Sequence, residues 1–122
     1  MPADTKNLKP ELKTKLAMFQ RACAAAKIDI LITQGYRTPA EQEELYAKGR
    51  SVPGSIVTQL RGIGKNPSNH CLGKAFDICF LANKKVTYQG PWEKVGALGE
   101  KCGLIWGGRW AKFPDRPHFE IK

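Results

Sequence analysis

Residues 50–74 constrain this chain most: they carry four glycines and two prolines and show no helical or strand period. An unpatterned stretch of that length inside a small domain is either functional or disordered. The regular elements therefore lie on its two sides. Before it, Leu8, Leu12, Leu16, Phe19, Cys23 and Ala26 recur every three or four residues, one face of an amphipathic helix. Pro10 falls in the first turn of that helix, where an amide hydrogen would lack a partner anyway. Ile28–Thr33 is rich in β-branched residues and predicts a strand. A second helix is signalled at both ends: Thr38 caps it, Pro39 takes the first position, Glu41 closes a capping box and Gly49 ends it.

After the unpatterned stretch, Ala75–Leu81 reads as a strand and Asn83-Lys84-Lys85 as a turn into Val86-Thr87-Tyr88. Pro91 opens a third helix with Trp92, Val95, Leu98 and Cys102 on one face, and Gly103 stops it. Leu104–Trp106 and Pro117–Ile121 predict two short final strands. The expectation is an α+β fold, a small and mostly antiparallel sheet with about three helices. A length of 122 residues suits one domain, 1–122, with no repeat, linker or low-complexity tract. No segment reaches the roughly 18 consecutive apolar residues of a membrane span.

Charge narrows the company the chain keeps. Twenty Lys and Arg against 11 Asp and Glu give a net charge of +9, a surface that favours polyanions such as nucleic acid, anionic lipid or the bacterial envelope. The basic residues are scattered, with no basic helix and no recognised binding module, so nucleic acid is not an expected partner. Met1-Pro2-Ala3-Asp4 lacks a charged region followed by an apolar one, so no signal peptide is expected. Cys23, Cys71, Cys79 and Cys102 form no CxxC pair and are expected as reduced thiols. Cys71 and Cys79 flank the motif described next and stand as alternative ligands, with better ones beside them.

The chain has two histidines. His70 lies in Ser68-Asn69-His70-Cys71-Leu72-Gly73-Lys74-Ala75-Phe76-Asp77, and His118 in Asp115-Arg116-Pro117-His118-Phe119-Glu120. Two imidazoles and one carboxylate make a three-ligand zinc set that leaves a fourth position for water, the mark of a catalytic site. No HxxxH or HExxH spacing fixes two ligands on one helix, and a histidine near a strand is commonly a hydrogen-bonded structural residue.

The complete pattern, Ser-x-His-x-x-Gly-x-Ala-x-Asp followed by Asp-x-Pro-His-Phe, resembles the zinc-dependent peptidoglycan peptidases. That family includes D-Ala-D-Ala carboxypeptidases and phage L-alanyl-D-glutamate endopeptidases. The resemblance extends to Gln34-Gly35-Tyr36-Arg37-Thr38, Ala40-Glu41-Gln42, Leu45–Arg50, Pro53-Gly54, Ile56-Val57-Thr58 and Trp106-Gly107-Gly108. It implies a fold like that of the DD-peptidases and hedgehog-like domains, with a Zn2+ site on the sheet held by His70, Asp77 and His118. It also implies that Asp115 is the catalytic carboxylate and that Arg37 steadies the substrate carbonyl oxygen. These roles agree with the chemistry of a general base and a fixed cation.

Alternatives stand beside several of these residues. Glu120 shares a strand face with His118 and is either a base or, preferably, a partner orienting a ligand imidazole. Asp115 also suits a turn before Arg116-Pro117. Arg37 also suits a surface ion pair, and Ser68 a loop brace. Trp106 and Trp110 are core or rim residues, or platforms on which substrate stacks. The run Gly62–Pro67 departs from the shorter, Gly-Gly-Gln-like approach expected of phage lysins and bears on substrate fit. The leading expectation is a phage-type endolysin cutting between L-Ala and D-Glu. A D-Ala-D-Ala carboxypeptidase or dipeptidase, and a non-catalytic zinc- or wall-binding module, are the rivals. A monomer is expected, and the resemblance further implies a protein made in the host cytoplasm that reaches the wall through a holin pore. Its basic surface would replace a separate wall-binding module.

Overall fold

The computed structural model describes residues 3–58, 60–62, 64 and 67–122. Helix α1, Pro10–Ala25, buries Leu12, Leu16, Phe19 and Cys23, the stripe its spacing predicts. Its end delays the first strand. The Ile28 amide still donates to the Cys23 carbonyl, 2.9 Å away, and Lys27 sits at φ 61°. Strand β1 therefore runs Ile30–Gln34, two residues later than its composition suggests. Helix α2, Pro39–Ala47, has the full capping box, with Thr38 Oγ accepting from the Glu41 amide and Glu41 accepting from the Thr38 amide.

Within the unpatterned stretch, Arg61 and Gly62 are tied to α2. Glu43 of α2 pairs with Arg61 and accepts from the Gly62 amide at 3.0 Å. A 3₁₀ turn, Asn69–Leu72, forms near its end, which strand and helix periodicity cannot reveal. Gly73 closes that turn at φ 70°, a left-handed cap that an L side chain rarely takes. Of the expected departure at Gly62–Pro67, residues Ile63, Lys65 and Asn66 lie outside the described residues.

Strand β2, Ala75–Ala82, is central. It pairs with β1 on one edge and, on the other, with β3 (Lys85–Thr87) and β5 (His118–Glu120); β5 then pairs with β4 (Ile105–Trp106). Every pairing is antiparallel. Successive side chains of a strand point to opposite faces. Phe76, Ile78, Phe80 and Phe119 thus join α1 and helix α3, Trp92–Lys101, in one buried cluster. Gly96 and Gly99 let α3 lie directly on the rings of Trp106 and Phe119. The other face of β2 and β5 is left for Asp77, His118 and Glu120. No helix among the described residues is long and apolar enough to cross a membrane.

Candidate active site and metal centre

Asp77 and His118 are direct cross-strand neighbours, and a bulge in β1 between Ile32 and Gln34 brings Gln34 opposite Asp77 from the other side. Such neighbours on a shared face stand close enough for their side chains to meet. His118 Nδ1 lies 3.1 Å from Asp77 Oδ1, and its Nε2 lies 2.7 Å from Glu120 Oε1. His70 arrives from the 3₁₀ turn that Ser68 caps: Ser68 Oγ accepts from the His70 amide at 3.3 Å. Ser68 is thus a buried brace for the turn that carries His70.

The His70 ring fixes its own tautomer. Nδ1 is 2.8 Å from the Gly35 carbonyl, which can only accept, so Nδ1 carries the hydrogen. Nε2 then lies 3.3 Å from Asp77 Oδ1, and in the neutral ring two acceptors confront each other. A proton or a cation between them resolves that conflict. Ligand atoms of His70, Asp77 and His118 all lie within 4.8 Å of one another, with both histidines buried. Each imidazole has a carbonyl or carboxylate acceptor on its far nitrogen, Gly35 for His70 and Glu120 for His118, the outer support that ligating histidines carry. The donor set fits a metal ion. Cys71 instead directs its thiol at the Thr38 carbonyl, and among the described residues neither it nor Cys79 joins the group.

Electrostatics follow from the packing. Burial works against the Asp77 carboxylate, but hydrogen bonds from His118 and His70 outweigh it and hold the acid below the usual carboxylate range. Burial also opposes charging His118, yet its bonds to Asp77 and Glu120 push its pKa up to about 9. Glu120 is lowered in spite of its burial by hydrogen bonds from His118 and Asn69. Asp115 moves the other way. Partial burial, and then the charge of Asp77, raise it against the pull of His118, His70 and Arg37. The neighbouring carboxylates of Asp77 and Asp115 are thus pushed in opposite directions.

Asp115 is held by its backbone: its amide donates to the Gly107 carbonyl at 2.9 Å, and its carbonyl accepts from the His118 amide at 3.2 Å. A side chain at Gly107 would strike the Asp115 carbonyl, which accounts for glycine there. Trp106 is 1% exposed and packs in the core, so it cannot stack on substrate. Its indole instead donates to the Arg116 carbonyl at 2.8 Å, bracing the turn that carries Asp115. Trp110 is the tryptophan at the site, its ring centroid 5.1 Å from that of His118.

Arg37 follows β1. Its amide donates to the His70 carbonyl at 3.0 Å, and its guanidinium donates to Gln42 Oε1 at 2.6 Å and to Gln34 Oε1 at 3.3 Å. Among the described residues it makes no ion pair. A cleft of about 760 Å³ brings Arg37, His70, Asp77, Asp115, His118 and Glu120 together. Its apolar lining comes from Ile56, Val57 and Leu60 of the long loop and from Trp110, Phe113 and Pro114 before Asp115. Sequence reasoning assigned nothing to Gly35, Gln34 or Gln42. Gly35 acts through its backbone carbonyl, which no side-chain pattern reveals, and like Gln34 and Gln42 it was legible only as part of a motif.

Residues 62–121 match the family described as D-alanyl-D-alanine carboxypeptidase. The peptidoglycan L-alanyl-D-glutamate endopeptidase CwlK of Bacillus subtilis is 36% identical over 134 residues, covering 99% of this chain and 75% of that protein. The structure of the L-Ala D-Glu endopeptidase ChiX of Serratia marcescens superposes with a TM-score of 0.70 over 98% of this chain and 84% of ChiX, at 21% identity, and so shares the fold. This chain belongs to the family of metal-dependent peptidoglycan peptidases that carries the D-alanyl-D-alanine carboxypeptidase description and includes the Bacillus enzyme.

Proposed function

We propose that this chain hydrolyses the L-Ala–D-Glu amide of peptidoglycan stem peptides, with zinc held by His70, Asp77 and His118. The observation that carries the reading is one cleft holding the buried His–Asp–His group together with Asp115 and Arg37. The choice of bond is supported by the activity named for the Bacillus relative, which aligns over 99% of this chain. Zinc suits two imidazoles and a carboxylate. When bound it polarises the scissile carbonyl and makes water a stronger acid.

The remaining chemistry belongs to the side chains. Asp115, its pKa raised, takes a proton from the attacking water and delivers it to the departing amine of D-Glu as the C–N bond breaks. Arg37 offers a fixed positive charge to the carbonyl oxygen as negative charge develops there. Glu120 and the Gly35 carbonyl hold the two imidazoles in orientation. The same reading extends to a lysin: a monomer delivered to the wall through a membrane pore, with the +9 charge drawing it to anionic envelope polymers.

Digestion of purified sacculi, with labelling of the new amino termini, tests the assignment. New D-Glu termini are expected. Release of free D-Ala with the L-Ala–D-Glu bond intact would replace the endopeptidase reading with a carboxypeptidase, and no product from zinc-loaded protein would leave only a binding module.

A further inference from the structure

Gln42 is the one residue that α2 buries, at 0% exposure, in a helix that gives the core no apolar side chain. A buried amide is costly unless its hydrogen bonds are made. Here they are. Oε1 accepts from Arg37 Nη1 at 2.6 Å, while Nε2 donates to the Leu60 carbonyl at 2.6 Å and to Thr58 Oγ1 at 3.2 Å. Arg37, Thr58 and Leu60 all line the cleft, so one buried side chain joins the cation to the loop that forms part of the cleft wall.

The chemistry of the tether matters as much as its position. Both acceptors on the guanidinium, Gln42 and Gln34, are neutral amide oxygens. Among the described residues no carboxylate forms a salt bridge with Arg37. An arginine held by a carboxylate has its charge largely answered before substrate arrives; one held by amide oxygens is oriented with its full charge still available. We propose that Gln42 is a positioning residue: from inside α2 it locks the Arg37 guanidinium at the cleft without neutralising it, and it ties that placement to the cleft wall at Thr58 and Leu60. The inference rests on the role of Arg37 given above.

The test compares zinc-loaded full-length wild type, Gln42→Met, Gln42→Glu, Arg37→Ala and the Arg37→Ala/Gln42→Met double variant on a soluble muropeptide. Metal content and thermal midpoint are recorded for each. Gln42→Met keeps length and removes both the acceptor for Arg37 and the donor to Leu60 and Thr58, and kcat should fall roughly 10- to 100-fold with KM within about twofold, the scale of a misplaced catalytic group. Gln42→Glu keeps an acceptor but pairs the charge, and its kcat should fall as well; it serves alone if the methionine variant does not fold. A phosphinate mimic of the tetrahedral state should lose affinity in step with kcat, which loosened packing alone would not produce. The double variant should be no slower than Arg37→Ala, because Gln42 acts through Arg37. Arg37→Ala with full activity would remove the role assigned to Arg37 and the inference with it. An impaired Arg37→Ala beside unimpaired Gln42 variants, or losses that multiply in the double variant, would overturn the inference alone.

Discussion

His118 stands between two carboxylates, Asp77 at 3.1 Å and Glu120 at 2.7 Å, and in the metal-free protein both ring nitrogens act as donors. Its pKa is about 9 there, against an ordinary 6.5. A pKa raised by folding means that the charged form stabilises the fold. The contribution is fully present below about pH 6.5 and is lost as pH rises through about 9. At about 1.4 kcal/mol per unit, the gap is worth roughly 3 kcal/mol. At about 4 °C per kcal/mol for a chain of this size, metal-free protein should lose roughly 10 °C of thermal midpoint between pH 6 and 10. A His118→Gln variant should lack that fall. A bound zinc ion would reverse the logic, because a ligating imidazole must give up its proton. At pH 7 zinc binding should expel about one proton per chain, and apparent affinity should rise about tenfold per pH unit until pH approaches 9. Titration calorimetry of zinc into chelator-stripped protein, in buffers of different ionisation enthalpy, counts the protons. A binding enthalpy independent of buffer at pH 7 would mean that His118 is already neutral, and the reasoning would fail.

Asp115→Ala should keep metal and fold yet lose on the order of 10²-fold or more in kcat; loss of metal in that variant would make Asp115 a ligand. Glu120→Gln should weaken zinc about 10- to 100-fold, measured by chelator competition, because it alters the support of His118. Gly96→Ala would set a methyl group against the Trp106 indole and should cost roughly 1–3 kcal/mol in denaturant unfolding. Binding to intact walls should weaken steeply with salt while hydrolysis of a short soluble muropeptide does not, since exposed charges are screened beyond about 8 Å at physiological ionic strength; equal sensitivity would remove any targeting role for the basic surface.

Much of the fold was written locally. The capping box of Thr38 and Glu41, the apolar stripe of α1 and the stop at Gly103 depend on residues within a turn of one another, and such signals survive in a bare sequence. The grouping of His70, Asp77 and His118 was expected only through the resemblance of their motifs to a known family, since neither histidine's spacing fixes a ligand set. Boundaries were less secure where a tertiary contact competes, as at Ile28, whose amide completes the end of α1 and delays β1.

Only the folded chain decided how those residues act. Sheet register sets Asp77 opposite His118 across two strands forty-one positions apart, and no periodicity in either strand specifies that partner. The same register buries Trp106 and turns it from a possible platform for substrate into a brace for the Asp115 turn. Gln42 reads in sequence as one more polar residue of a short helix. It becomes the tether of Arg37 because the long loop folds back onto α2 and excludes water from an amide that must then find its partners in the protein.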